Sequence, residues 1–170
     1  MSRSEELIGR LVCVAPDEVL SYWQPRPANG FIDVVLTPDR TGHHGFVLGF
    51  QTVEVGGLIA PHHHADISEI LVCQSGRGRI ITDEREFIFE AETVCFIGHD
   101  VRHSVVNDSD CPLRLLWIQL PPGHERLFPL IGRTRKPGDP PPDPFDRPSE
   151  ATSWATELGL TFGSTERPIS

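Results

Sequence analysis

From residue 31 to residue 120 short apolar runs alternate with turn residues, and no window of ten or more positions there carries a helical repeat. The runs are FIDVVL, GFVLGFQTVEV, EILVCQ, GRGRIITD, REFIFE, TVCFI, HSVVN and LRLLWIQL, with glycine, proline, aspartate or asparagine between most pairs. Strands at such even spacing predict an all-β sandwich, jelly roll or small barrel. GRGR at 76–79 joins two of the runs and opens no helix, so it reads as a hairpin turn.

The pattern changes on either side. PPGHERLFPLIG suggests a short helix that packs Leu127, Leu130 and Ile131, and KPGDPPPDPFDRP suggests an extended connector with no core of its own. SEATSWATELG reads as a second short helix, capped by Ser149, with Trp154 and Leu158 on one face and Gly159 closing it. The chain therefore divides into an N-terminal segment over 1–30, a barrel over 31–121, and C-terminal helices with a proline-rich tail over 122–170.

At 170 residues, one domain can bury a core without staples. The first residues, MSRSEELIGR, resemble neither a signal peptide nor a membrane span, which leaves the cytoplasm as the expected location. Cys13, Cys73, Cys95 and Cys111 form no CxxC pair, and the first three lie in apolar runs where a reduced thiol acts as a small core residue. A formal charge of −9 would repel a phosphate backbone, so nucleic acid is not an expected partner. The basic stretch GRTRKPG at 132–138 is expected to solvate a tail.

Candidate chemistry concentrates in GGLIAPHHHADISEILVCQSG, residues 56–76. Alternate residues of a strand share a face, so His62 and His64 project together and His63 projects the other way. Two such imidazoles can reach one metal ion, although an HxH pair alone more often serves a surface or core role. No GxSxG elbow, phosphate loop, dinucleotide fingerprint or HExxH helix offers a competing site.

The spacing of Gly56, His62, His64, Glu69 and Gly76 resembles the first motif of the cupin superfamily at every required position. EAETVCFIGHDVRHSVVN at 90–107 is similar to the second, with His103 as its histidine and Asn107 as its asparagine. It departs from the pattern where Glu92 and Asp100 replace glycines and Gly98 replaces a proline, which leaves Gly98 to supply the bend.

The resemblance implies a double-stranded β-helix, the cupin jelly-roll barrel, with His62, His64, Glu69 and His103 around one divalent metal ion. Fe(II) is the expected metal, and Mn, Ni, Cu or Zn would also suit three imidazoles and a carboxylate. The proline-rich tail resembles the quercetin-dioxygenase-like branch, which implies a mononuclear dioxygenase acting on a small aromatic or enolisable substrate. A redox-neutral isomerase, cyclase, dehydratase or decarboxylase is the alternative, followed by a non-catalytic small-molecule-binding module.

The resemblance also implies a homodimer, to which LIGRLVCV near the start could add a strand. His99 and Arg102 fit either substrate contact or a solvated turn, and Tyr22, Trp23 and Gln24 fit either a lid over a substrate or a dimer contact. His43, His44 and His63 stay outside the expected site, and His124 is expected to cap a helix or face solvent. Trp117 and Gln119 share one face of their strand and Leu116 and Ile118 the other, with the inward face undecided.

Overall fold

The structure is a computed structural model that describes residues 10–163. Two antiparallel sheets face each other. The first is built from β1 (Leu20–Gln24), β2 (Gly30–Leu36), β3 (Val47–Val53), β5 (Ser68–Ser75), β8 (Val94–Ile97), β10 (Leu113–Leu120) and β11 (Arg133–Arg135). Its spatial order is β11-β1-β2-β3-β10-β5-β8. The second contains β4 (Leu58–His64), β6 (Arg77–Thr82), β7 (Glu86–Glu90), β9 (His103–Val106) and β12 (Leu160–Phe162), in the order β12-β4-β9-β6-β7. This is the double-stranded β-helix that the motif resemblance implied, within the all-β class that the alternation predicted.

The core follows from the period of two. On β10 the residues Leu113, Leu115, Trp117 and Gln119 point inward while their neighbours are half-exposed, which settles the phase that the sequence left open. Leu113, Leu115 and Trp117 meet Val47, Val53, Leu71, Phe89 and Val105 from both sheets, and an apolar side chain of this kind stabilises the fold by roughly 1.5–3 kcal/mol when fully buried. Gly49 is required by this arrangement, because a Cβ there would collide with the Trp117 ring and the Asp33 carbonyl.

The second-motif turns keep their shape without glycine. Glu92 has φ +73° and Asp100 φ +58°, so both adopt the left-handed backbone that glycine favours. Backbone bonds tie them in place, with Glu92 N–H donating to the Cys73 carbonyl at 3.0 Å and Asp100 N–H to the His64 carbonyl at 2.8 Å. Gly98 is not left-handed, so the bend expected of it is made by Asp100 instead.

Several expectations outside the barrel are corrected. Tyr22 and Trp23 lie in β1, hydrogen-bonded between β2 and β11, and form no lid. The basic stretch supplies β11, where Arg135 lies over the Phe31 ring at 3.7 Å and donates to Ser21 Oγ at 3.1 Å, because flanking aromatic faces attract a guanidinium. Leu130 is 46% exposed, because only Leu127 and Ile131, one helical turn apart, face inward.

Ser149 caps nothing. Its hydroxyl donates to Glu150 Oε2, and the helix begins without a side-chain cap. Cys13 is exposed, and Cys95 is only half-buried. Part of LIGRLVCV precedes the described residues, and positions 10–14 form no strand.

After β10 the chain crosses one end of the barrel. A 3₁₀ turn at His124–Arg126 leads into α2 (Phe128–Ile131), following α1 (Pro38–Thr41) earlier in the chain, and α3 (Ala151–Glu157) leads into β12. Ala151 and Ala155 are small enough to bring α3 close to Leu127, Ile131 and Leu160, forming a second apolar cluster. The proline-rich connector has no regular structure, as expected, yet it is tied down. Phe145 accepts from the Arg26 N–H at 2.8 Å, Arg133 lies over the Phe145 ring at 4.0 Å, and Arg26 pairs with Asp146 at 2.8 Å. No helix among the described residues is long and apolar enough to cross a membrane.

Candidate metal centre

The four side chains singled out by spacing meet at the capped end of the barrel. His62 stands directly opposite His103 across the β4–β9 pair, beyond an irregularity after Ile59 that resets the register. Their rings are 4.2 Å apart, and the His62 and His64 rings are 4.9 Å apart. Glu69, at the start of β5, reaches them from the facing sheet. One ligand atom from each residue falls within 4.8 Å of the others, and all four residues are buried.

Backbone carbonyls fix the rings. His62 Nδ1 donates to the Ala60 carbonyl at 2.8 Å and His103 Nδ1 to the Val101 carbonyl at 2.9 Å, which frees each Nε2 for the centre. His103 Nε2 lies 3.2 Å from Glu69 Oε2, and Gln119 Nε2 donates to Glu69 Oε1 at 2.9 Å. His64 Nε2 is 3.8 Å from Glu69 Oε2, beyond hydrogen-bonding reach, and neither of its ring nitrogens has a partner. A buried imidazole with an unpartnered nitrogen aimed at a carboxylate and two other imidazoles fits a cation, which would satisfy all four at once.

The electrostatics agree. Burial pushes the Glu69 carboxyl upward, but His103 and His64 more than reverse this and hold it well below the usual range. Burial, with His103 and His64 adding to it, holds His62 well below its usual value. His103 is raised, since Glu69 outweighs its burial. The cluster therefore offers a carboxylate held in its charged form among three imidazoles, a donor set that a cation would share.

A cavity of about 90 Å³ adjoins the cluster, with walls largely apolar. Two residues that sequence reasoning placed elsewhere belong to it. His124, expected at the surface, is 1% exposed, and its ring lies 4.5 Å from that of His64. Its Nε2 donates to the Leu158 carbonyl at 2.9 Å while Nδ1 has no partner, and burial, then the nearby His64, lower its pKa to about 4. Arg147 reaches the cavity from the proline-rich connector. Gln119, left undecided, is its amide at the end of an apolar inward stripe, the one pattern that marked it beforehand.

The remaining candidates lie outside. His99 is exposed, Arg102 pairs with Asp83 at 2.7 Å, and neither lines the cavity. His63 turns outward toward Asp100, and His43 and His44 sit on an exposed turn.

Comparison with known proteins agrees with this fold. Residues 49–119 match the family model described as the cupin domain. The barrel has the cupin fold. The chain superposes on a protein from Thermotoga maritima described as a predicted oxalate decarboxylase, with TM-score 0.56 and 18% identity over 65% of this chain and 100% of that one. A cupin-superfamily sugar phosphate isomerase from Silicibacter pomeroyi gives TM-score 0.55 and 18% identity over 66% and 77% of the two chains. An uncharacterised Klebsiella pneumoniae protein with a double-stranded β-helix domain gives 0.53 and 18% over 66% and 91%. At this identity the likeness concerns the fold. No curated protein sequence matches the chain.

Proposed function

We propose that the chain is a metal-dependent cupin enzyme, a mononuclear dioxygenase akin to the quercetin-dioxygenase-like branch, acting on a small aromatic or enolisable molecule. His62, His64, Glu69 and His103 would hold the ion, with Fe(II) as the first choice. The carrying observation is the buried set of four donors with the unpartnered His64 nitrogens at its centre. A metal there would supply a Lewis acid with positions left for oxygen and a chelating substrate. Gln119 holds the Glu69 carboxylate, and the apolar walls around the cluster exclude bulk water.

Cavity size restricts the substrate. At about 90 Å³ the cavity suits a small ligand better than one the size of a flavonol. Oxygen uptake by iron-reconstituted protein with small enols, diketones and monocyclic aromatics tests the reading, and turnover that proceeds equally under nitrogen rejects it.

One observation favours a redox-neutral isomerisation, dehydration, cyclisation or decarboxylation instead. His124 presents an unpartnered, neutral imidazole nitrogen beside the cluster, which can accept a hydrogen bond from a substrate hydroxyl and orient it without any oxidant. Activity with zinc or nickel in the absence of oxygen would select this second reading. A homodimer forms part of the proposal, supported by the exposed apolar side chains Phe87, Val94 and Phe96 on the outer strands β7 and β8, and sedimentation of the purified chain tests it.

A further inference from the structure

The cavity contains one charge that the four-residue cluster does not use. Of the side chains lining it, only Glu69 and Arg147 are formally charged. Glu69 is engaged by His103 and Gln119. Arg147 has no carboxylate partner among the described residues, and its Nε is buried without a hydrogen bond. Its guanidinium lies 4.1 Å above the Phe162 ring, and burial pushes its pKa down.

Position matters as much as charge. Phe162 stands directly opposite His62 in the β12–β4 pair, so the two side chains share a sheet face. The ring that carries the guanidinium is thus a neighbour of one member of the cluster. Gln24, arriving from β1, lines the same cavity, and its side-chain Nε2 is likewise buried and unpartnered. Two buried donors without acceptors, one of them on a cationic side chain, thus line a cavity whose walls beyond the four-residue cluster are largely apolar.

Arg147 is half-buried with its Nε shut away from water and unbonded, a position that an anion offsets, and an arginine fork matches the two oxygens of a carboxylate. We propose that Arg147 anchors the carboxylate of a small ligand whose other end faces His62, His64, Glu69 and His103. A phosphate is the poorer match, since one planar fork is the only cationic side chain available and the remaining walls are largely apolar. This deepens the metal-centre reading and rests on it for the far end of the ligand only.

The test is isothermal titration of the full-length chain, with and without added Fe(II) under nitrogen, using benzoate, malonate, their neutral amides, and inorganic phosphate. Wild type should bind benzoate at least tenfold more tightly than benzamide. R147Q should bring acid and amide within twofold, while elemental analysis shows unchanged metal content. If R147Q does not fold, R147K, which keeps the charge and loses the fork, should lower the preference at least threefold. Equal binding of acid and amide by wild type, an undiminished preference in either folded variant, or tighter binding of phosphate than of both carboxylates overturns the anchor. A preference that persists in protein unable to take up metal upholds the anchor and rejects the metal centre, so the two readings fail separately.

Discussion

The two walls of the cavity are built on opposite terms. On the barrel side, His62, His103, Glu69 and Gln119 are held by hydrogen bonds to carbonyls or to one another, so their donor atoms are fixed before any ligand arrives. On the cap side, Leu127, Phe128, Ile131, Leu160 and Phe162 offer mainly carbon, and the one cation among them has no counter-ion there. The first wall defines where a metal can sit. The second defines the size and charge of what can sit beside it, which is how one barrel can serve many chemistries by changing its cover.

The contrast can be broken most severely from the barrel side. His64→Ala or His103→Ala should abolish stoichiometric metal binding, read by elemental analysis of protein loaded with Fe(II) and desalted; retention of a full equivalent would show that the cluster is not the centre. Gln119→Leu removes the amide that orients Glu69 and should weaken metal affinity by about 10–100-fold, as measured by competition with a chelator. The same variant should leave the preference for carboxylate over amide intact, because that preference belongs to the other wall.

Smaller effects probe the cap and the turns. Leu160→Ala, which empties a position shared by the cap cluster and the cavity, should cost about 2–5 kcal/mol in urea unfolding and speed hydrogen exchange over 151–162 ahead of the barrel strands. Equal acceleration throughout would mean that cap and barrel unfold as one unit. Glu92→Gly relieves a left-handed glutamate and should stabilise the chain by about 1 kcal/mol without altering metal content, a change readable as a shift in the urea midpoint.

Legibility in the sequence divides along the same line as the two walls. Most strands from β2 to β10 could be located from their apolar runs, and His62 with His64 from the two-residue period. GRGR, however, is no hairpin turn: it carries the chain from β5 into β6 of the other sheet, with Arg77 already in the strand. Glu69 and His103 required the motif resemblance, since no local pattern links residues 34 positions apart. Three-residue strands such as β11 and β12 carry no measurable period, so GRTRKPG was taken for a solvated tail. His124 was hidden by its setting, a glycine-flanked turn whose burial depends on α3 arriving from beyond the connector. Arg147 was hidden more deeply, within a proline-rich run whose composition argues against any core.

By itself the sequence determined that the middle of the chain is a succession of short strands and that it carries the two metal-ligand motifs, because a strand's period is a property of adjacent residues. Only the tertiary structure decided that His124, Arg147 and Phe162 would join those motifs around one cavity. Their positions depend on the chain crossing the barrel end and pinning itself there through Phe145, Asp146 and the α3 contact, interactions between residues too distant in sequence for any local pattern to encode.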